Sequence, residues 1–341
     1  MRTPCLVIAC TALILAACQP SDPSPSSSAH PEVAPRPLRL GAPLDQTNME
    51  ISGLTWYGDT LVVLPQYPSR SAPEGERALY GLSRATVERA TRDSTVRLDP
   101  FPIPLHANGF SAHSHAYEGC EAIAFRDGRA YVLVEGNGNG AGMEGHLMRG
   151  TVEPGLQGIH IDASSAHAVP AQAPLRNMSY EALTLYGDTV LTLFEANGAR
   201  VNAAPQAHRF GPLLQTTDST SFPTLEYRLT DATALDAAHR FWVMNYFYPG
   251  ERDVLTPAPD SLALRFRTGT THQKAEVVER LVEYRYTPQG IRRTETPPLW
   301  LQLAGGTGRN WEGIARFNEG FLIATDKFPE TILAYVPRSG S

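Results

Sequence analysis

The 341-residue sequence predicts an all-β propeller, and three observations carry that expectation. One residue pattern recurs five times along the chain, each copy reads as a β-hairpin, and no stretch between copies has a convincing helical period. A copy opens on an acidic or hydroxyl residue, continues through small and apolar residues to a turn, and ends in a strongly apolar run. The copies start at Ser52, Glu121, Glu181, Asp231 and Glu312, at intervals of 50 to 81 residues.

The hairpin assignment rests on turn chemistry. Gly58-Asp59, Asp127-Gly128 and Gly187-Asp188 are turn dipeptides between β-rich runs. In the fourth copy, Asp231 to Asn245, the turn has to hold one extra residue. Further strand-like runs lie between copies, at Val96–Leu98, Gly158–Ile161, Thr224–Leu229 and Leu281–Tyr286, so each repeat has material for four strands. Thr86–Ala90 reads as one helical turn at most. Four-stranded units arranged around an axis make a propeller. Five hairpins predict five blades, and the longest interval leaves room for six. The last hairpin is followed only by Thr331–Val336, so the missing outer strand is expected from Pro37–Leu40, which closes the ring and leaves no long open edge.

The N-terminus sets the expected compartment. A short basic start and the apolar run Leu6–Ala17 are too short to span a bilayer comfortably, which takes about 20 apolar residues. They fit a secretory signal over residues 1–17. Leu15-Ala16-Ala17-Cys18 resembles the lipobox of bacterial lipoproteins, which implies lipidation at Cys18. Gln19 at the next position points to an outer membrane, with the domain facing periplasm or cell surface. Residues 18–38, rich in Pro and Ser, read as a tether, and 39–338 as the propeller. With Cys5 and Cys10 in the signal and Cys18 lipidated, Cys120 is the one thiol left, so no internal disulfide can form. A formal net charge of −6, with only Lys274 and Lys327 as lysines, offers no basic stripe for nucleic acid. A monomer is expected.

The leading positions carry the candidate chemistry. The first strand of a propeller blade lines the central channel, so Ser52, Glu121, Glu181, Asp231 and Glu312 are expected to converge on the axis. Like charges brought that close repel unless protonated or neutralised by a cation. An all-oxygen ring suits Ca²⁺, which takes 6–8 hard ligands. The other reading is that the acids accept hydrogen bonds from backbone N–H groups of the neighbouring blade. Fourteen residues on lies a second polar set, Gln66, Glu135, Glu195, Asn245 and Asp326, expected at the channel rim. Arg176 and Arg309, each shortly before an axial glutamate, are candidates with Lys327 for binding an anion such as a phosphate ester. His106, His113 and His115, close before Glu118 and Glu121, offer a transition-metal or acid–base set, or a capped polar loop.

Ile51-Ser52-Gly53-Leu54, the Glu-Ala-Leu and Glu-Gly-Ile cores, Thr230-Asp231, and Asn310-Trp311-Glu312-Gly313-Ile314-Ala315 with Asp326 occur in order. Together they resemble the phytase-like domain, described as having esterase-like activity of phytase, over about residues 48–337. The axial set is also similar to the calcium ring of five-bladed apyrases. The resemblance implies an exported propeller and phosphomonoester hydrolysis. The chain departs from well-characterised calcium phytases in lacking their dense acidic and basic cluster, so no catalytic residue carries over. Two functions remain open at this stage. One is a ligand- or partner-binding envelope lipoprotein with an axial Ca²⁺; the other is a calcium-supported phosphoesterase or related ester hydrolase.

Overall fold

The structure, a computed structural model, describes residues 29–107, 117–137 and 143–338. The signal, Cys18, His113 and His115 lie outside them. Short strands β1 (Glu32–Val33) and β2 (Arg36–Leu40) precede the first blade. Blade 1 is β3 (Ile51–Tyr57), β4 (Thr60–Pro65), β5 (Ala78–Ser83) and, after β6 (Arg97–Leu98), β7 (Phe101–His106). Blade 2 is β8 (Tyr117–Arg126), β9 (Arg129–Asn137), β10 (Met143–Val152) and β11 (Ile159–Val169). Blade 3 is β12 (Tyr180–Tyr186), β13 (Thr189–Phe194), β14 (Gln206–Phe210) and β15 (Thr216–Ser221).

Blade 4 is β16 (Arg228–Ala232), β17 (Arg240–Phe247) and β18 (Val278–Thr287), with β19 (Gly290–Arg293) and β20 (Leu299–Leu301) both on the edge of β18. Blade 5 is β21 (Trp311–Phe317), β22 (Gly320–Thr325) and β23 (Leu333–Pro337), completed by β2, whose Leu38 pairs antiparallel with Leu333. The chain is therefore a five-bladed propeller closed by its N-terminal strand. The segment Glu32–Leu40 belongs to it, since β1 also pairs with β20.

The ring closes because each inner strand packs on the next, β3 on β8, β8 on β12, β12 on β16, β16 on β21 and β21 on β3. A blade in such a ring has neighbours on both faces, which explains why the hairpin strands are almost continuously apolar. Buried side chains accordingly form five clusters that join neighbouring blades, one of them reaching from blade 2 through blade 3 to blade 4. Between blades 1 and 2, for example, Val62, Leu64 and Leu79 meet Ile123, Val132 and Val134. Cys120 is buried in that cluster.

Three local expectations are corrected. Residues Arg84–Arg92 form a helix of about two and a half turns, longer than the single turn expected; its only buried residues are Val87 and Ala90, too few to register as a period. Arg97–Leu98 pairs with β2 instead of edging blade 1. Of Thr224–Leu229 only Arg228 and Leu229 are strand, and they open β16; the outer strand of blade 3 is the polar β15. Among the described residues no helix is long and apolar enough to cross a membrane.

Close packing at the axis depends on small residues. A Cβ on Gly313 would sit 2.8 Å from Leu54 Cγ and 3.3 Å from Ala324 Cβ. Gly313→Ala is therefore expected to destabilise the chain by about 1–3 kcal/mol through overpacking, read as a lowered denaturant midpoint at unchanged slope.

Candidate functional site

Every inner hairpin contains a register shift at the same level, with a second in blade 2 between Tyr117 and Gly119, and the site is built on the shared set of bulges. The shifts fall between Ile51 and Gly53, Cys120 and Ala122, Tyr180 and Ala182, Leu229 and Asp231, and Trp311 and Gly313. A bulge inserts one unpaired residue and re-aims its side chain. In blades 1, 2, 3 and 5 that residue is Ser52, Glu121, Glu181 and Glu312. In blade 4 it is Thr230, not Asp231.

The fourth copy thus stands one residue from where the repeat alone places it. Its turn holds two extra residues rather than one: Asp231 pairs with Met244, whereas Gly53 pairs with Leu64. Asp231 serves the architecture instead. Its Oδ2 accepts from Ile314 N of blade 5 at 2.7 Å and its Oδ1 from Ala232 N at 2.7 Å. It lines the other half of the channel, a cavity of about 130 Å³ walled mostly by Gly53–Trp56, Ile123–Phe125, Leu183–Leu185 and Ile314–Arg316. Burial pushes its carboxyl well above the usual range, and these backbone donors oppose that. Thr230 Oγ1 donates to Trp311 O at 2.7 Å, tying blade 4 to blade 5.

Above the bulges, each blade adds one pair of facing residues. Glu50 meets Gln66, Gly119 meets Glu135, Ser179 meets Glu195, Arg228 meets Tyr246 and Asn310 meets Asp326. Tyr246 therefore holds the fourth rim position. Asn245 is instead turned back to the backbone, donating to Glu226 O and Arg228 O and accepting from Arg280 Nε. Blades 2, 3 and 5 contribute two acids each, and blade 4 contributes a cation, Arg228, which the sequence reading missed. Residues two apart on a strand share a face, so Arg228 should follow from the ring position. Placing that position at Asp231 put Leu229 there and hid it.

The result is a cavity of about 250 Å³ lined by Gln66, Tyr67, Glu121, Glu135, Asn177, Glu181, Arg228, Asn310, Glu312, Asp326 and Lys327. Arg228 ion-pairs with the buried Glu195 through Nε, and its terminal nitrogens lie 3.5 Å from Glu251 and 3.4 Å from Glu312. Asn310 Nδ2 donates to Glu312 Oε1 at 2.8 Å and to Asp326 Oδ2 at 3.1 Å. Lys327 Nζ sits 3.7 Å from Glu50 Oε2, and Arg70 reaches the other oxygen of Glu50. Ser52 Oγ, Glu181 Oε2, Glu195 Oε2 and Asp326 Oδ1 are buried without a hydrogen-bond partner.

Two other sequence candidates stand elsewhere. Arg309 does not face the cavity. It is buried beside Trp311, with Nη2 donating to Glu279 Oε2 and to Gln302 O, each at 2.7 Å. Arg176 is exposed and does not line the cavity, although Asn177 next to it does. A second hollow of about 280 Å³ adjoins the mouth, sharing Arg228, Asn310, Asp326 and Lys327 and adding Tyr246, Tyr248, Glu251 and Phe328. Tyr248 and Phe328 are each 56% exposed.

Charge in so dry a space shifts the acids upward. Burial raises the Glu121 carboxyl well above its usual range, and Glu135 and Glu312 add to the effect. Burial does the same to Glu181, reinforced by Glu195 and Glu121, and to Glu312, reinforced by Asp326 and opposed by Arg228. Glu195 and Asp326 are also raised by burial, opposed by Arg228 and Lys327 respectively. Burial disfavours the Arg228 charge, but Glu195, Glu251, Glu312 and Glu181 around it keep the guanidinium firmly protonated.

No protein-family model and no curated protein sequence matches this chain. Solved structures do share its fold. A glycosyl hydrolase from Bacteroides ovatus is similar at a TM-score of 0.50 and 10% identity, over 90% of this chain and 89% of that one. A structure from the GH130 family of mannoside phosphorylases, which contains glycoside hydrolases that target β-1,2 mannosidic linkages in Candida mannan, is similar at 0.50 and 9% identity, over 93% and 98%. At such identity the likeness is one of fold, that of the β-propellers seen among glycoside hydrolases.

The raised acids set a sign for pH dependence. A carboxyl raised in the folded state binds more protons there than in the unfolded chain, so it contributes stability at low pH. That contribution is lost as pH rises through the ordinary value of 4.5 toward the folded value. Chelator-treated protein with Glu181→Gln should therefore gain stability relative to the unsubstituted chain as pH goes from 4.5 to 8. Thermal melts at the two pH values check this, each kcal/mol recovered being worth roughly 2–4 °C. An unchanged difference between them would contradict the placement of Glu181 among like charges.

Proposed function

We propose that the axial cavity is a Ca²⁺-dependent binding site for phosphate esters, carried by an exported, lipid-anchored propeller of the phytase-like type. One observation carries the reading. Five acids from three blades line the cavity with the half-buried Arg228, a sixth, Glu195, pairs with that arginine, and Glu181, Glu195 and Asp326 each keep a buried oxygen with no partner. Buried carboxylates without compensation are costly, and the atoms present are all hard oxygen donors, the chemistry that Ca²⁺ selects. Glu121, Glu181, Glu195 and Glu312 would hold the ion, with Ser52 Oγ and water completing its shell. A bound Ca²⁺ would supply positive charge toward a phosphoryl oxygen. Arg228 and Lys327 add charge on the open side, where Arg228 can also donate a forked pair of hydrogen bonds. The tether and the sequence resemblance support placement at the envelope, at an outer membrane.

Hydrolysis is the second reading, and the aromatic rim favours it for sugars in particular. Tyr248 and Phe328 flank an acidic cleft in a fold shared with glycoside hydrolases, and aromatic faces suit stacking against sugar rings. In that case a raised carboxyl such as Glu312 would keep its proton for a leaving group, and a neighbouring carboxylate would activate water or attack.

Calorimetry on chelator-treated protein should show one Ca²⁺ per chain and a higher melting temperature, about 2.7 kcal/mol of stabilisation at 100 Kd of free ion. Glu181→Gln and Glu312→Gln should abolish it, and Asp231→Asn, facing the other half of the channel, should not. Generic and inositol phosphates should bind only with Ca²⁺ present, and Arg228→Met should weaken them at least tenfold. Absence of a calcium-dependent heat would overturn the proposal. Turnover of aryl glycosides in chelator would favour the second reading, and calcium-dependent phosphate release would make the site a phosphoesterase.

A further inference from the structure

The outer rim between blades 1 and 2 brings together a second set of ligating side chains, sharing no residue with the axial cavity. The edge strands β7 and β11 pair in parallel there through two residue pairs, Leu105 with Ile159 and His106 with His160. That register sets the two imidazoles side by side, with ring centroids 4.5 Å apart and planes 26° apart. Glu153 joins them from the chain entering β11. Pro154–Leu156 makes a 3₁₀ turn, closed by Leu156 N donating to Glu153 O and Glu153 N donating to Gly158 O, each at 2.9 Å. The turn returns the chain so that Glu153 Oε1 lies 2.5 Å from His160 Nε2. One ligand atom from each of the three residues lies within 4.8 Å of the others.

Two features suit this cluster to an ion. A Cβ on Gly158 would stand 3.1 Å from Glu153 Cδ and Oε2, so glycine leaves the carboxylate its space. His106 and His160 are exposed and Glu153 half-buried, so a metal could enter and retain water. We propose that His106, His160 and Glu153 form a Zn²⁺ site that ties blade 1 to blade 2. Two imidazoles and one carboxylate are a zinc donor set, with the fourth position left to water. Imidazole also separates the site from the axial one, whose oxygens favour Ca²⁺. The ion would bridge an edge joined by only two residue pairs, with one ligand from blade 1 and two from blade 2.

The test uses the full chain, stripped by chelator and titrated with zinc chloride, with Co²⁺ as a spectroscopic substitute. Expected are one Zn²⁺ per chain with micromolar or tighter affinity, visible d–d bands on adding Co²⁺, and a zinc-dependent rise in melting temperature. Affinity should fall at least tenfold in His160→Ala and in Glu153→Gln, and vanish in a His106→Ala, His160→Ala double variant. Glu181→Gln should bind zinc as the unsubstituted chain does. Because the three residues are at the surface, the zinc-free variants should melt close to the parent, within about 0.5 kcal/mol. Glu153→Gln, which alters no ring, provides the readout should the double variant fold poorly. Zinc binding that survives the double variant, or no zinc-dependent heat at micromolar concentrations, would overturn the assignment.

Discussion

Five inner strands packed each on the next turn their bulged residues into one narrow channel, and that crowding governs the molecule. Where there is no side chain, as at Gly313, Leu54 of the neighbouring inner strand packs into the space a Cβ would need. Where a bulge adds a residue, its side chain turns into a space already shared with four others. Glu121, Glu181 and Glu312 are therefore held together by backbone geometry, against their mutual repulsion, by the apolar clusters between the blades.

The electrostatic pattern follows from this enforced proximity. An acid in such a place has three remedies: a proton, a cation or a hydrogen-bond donor. The chain uses the last for Asp231, which binds backbone N–H groups across a blade boundary. It uses a fixed cation for Glu195, through Arg228. Glu181 keeps one oxygen unanswered, and so do Glu195 and Asp326. Of the two alternatives drawn from the sequence, the register lock describes Asp231, and the acids at the other level of the channel are those proposed above as ion ligands.

The five blades, their hairpins and the closing strand were legible because they depend on local chemistry and on repetition. Gly58-Asp59, Asp127-Gly128 and Gly187-Asp188 each force a turn, and strands with neighbours on both faces have to be apolar. The site was legible only where the repeat is regular. In blade 4 two extra turn residues shift the count, and a slip of one along a strand exchanges the two faces. It moved attention from Thr230 to Asp231 and from Tyr246 to Asn245, and it concealed Arg228. Arg309 was misplaced for a different reason: its nearness in sequence to Glu312 does not survive the corner at Trp311, where the side chain turns outward to Glu279.

The sequence by itself determined that the chain is a repeat of apolar hairpins with a polar residue at the head of each, because turn formation and burial on two faces are properties of short segments. Only the tertiary structure decided which polar residues meet, because a bulge is defined by the partner strand and cannot be counted along one strand alone. It also decided that His106 stands beside His160 and Glu153, about fifty residues further on, since a parallel pairing between the edges of neighbouring blades leaves no trace in the spacing of either segment.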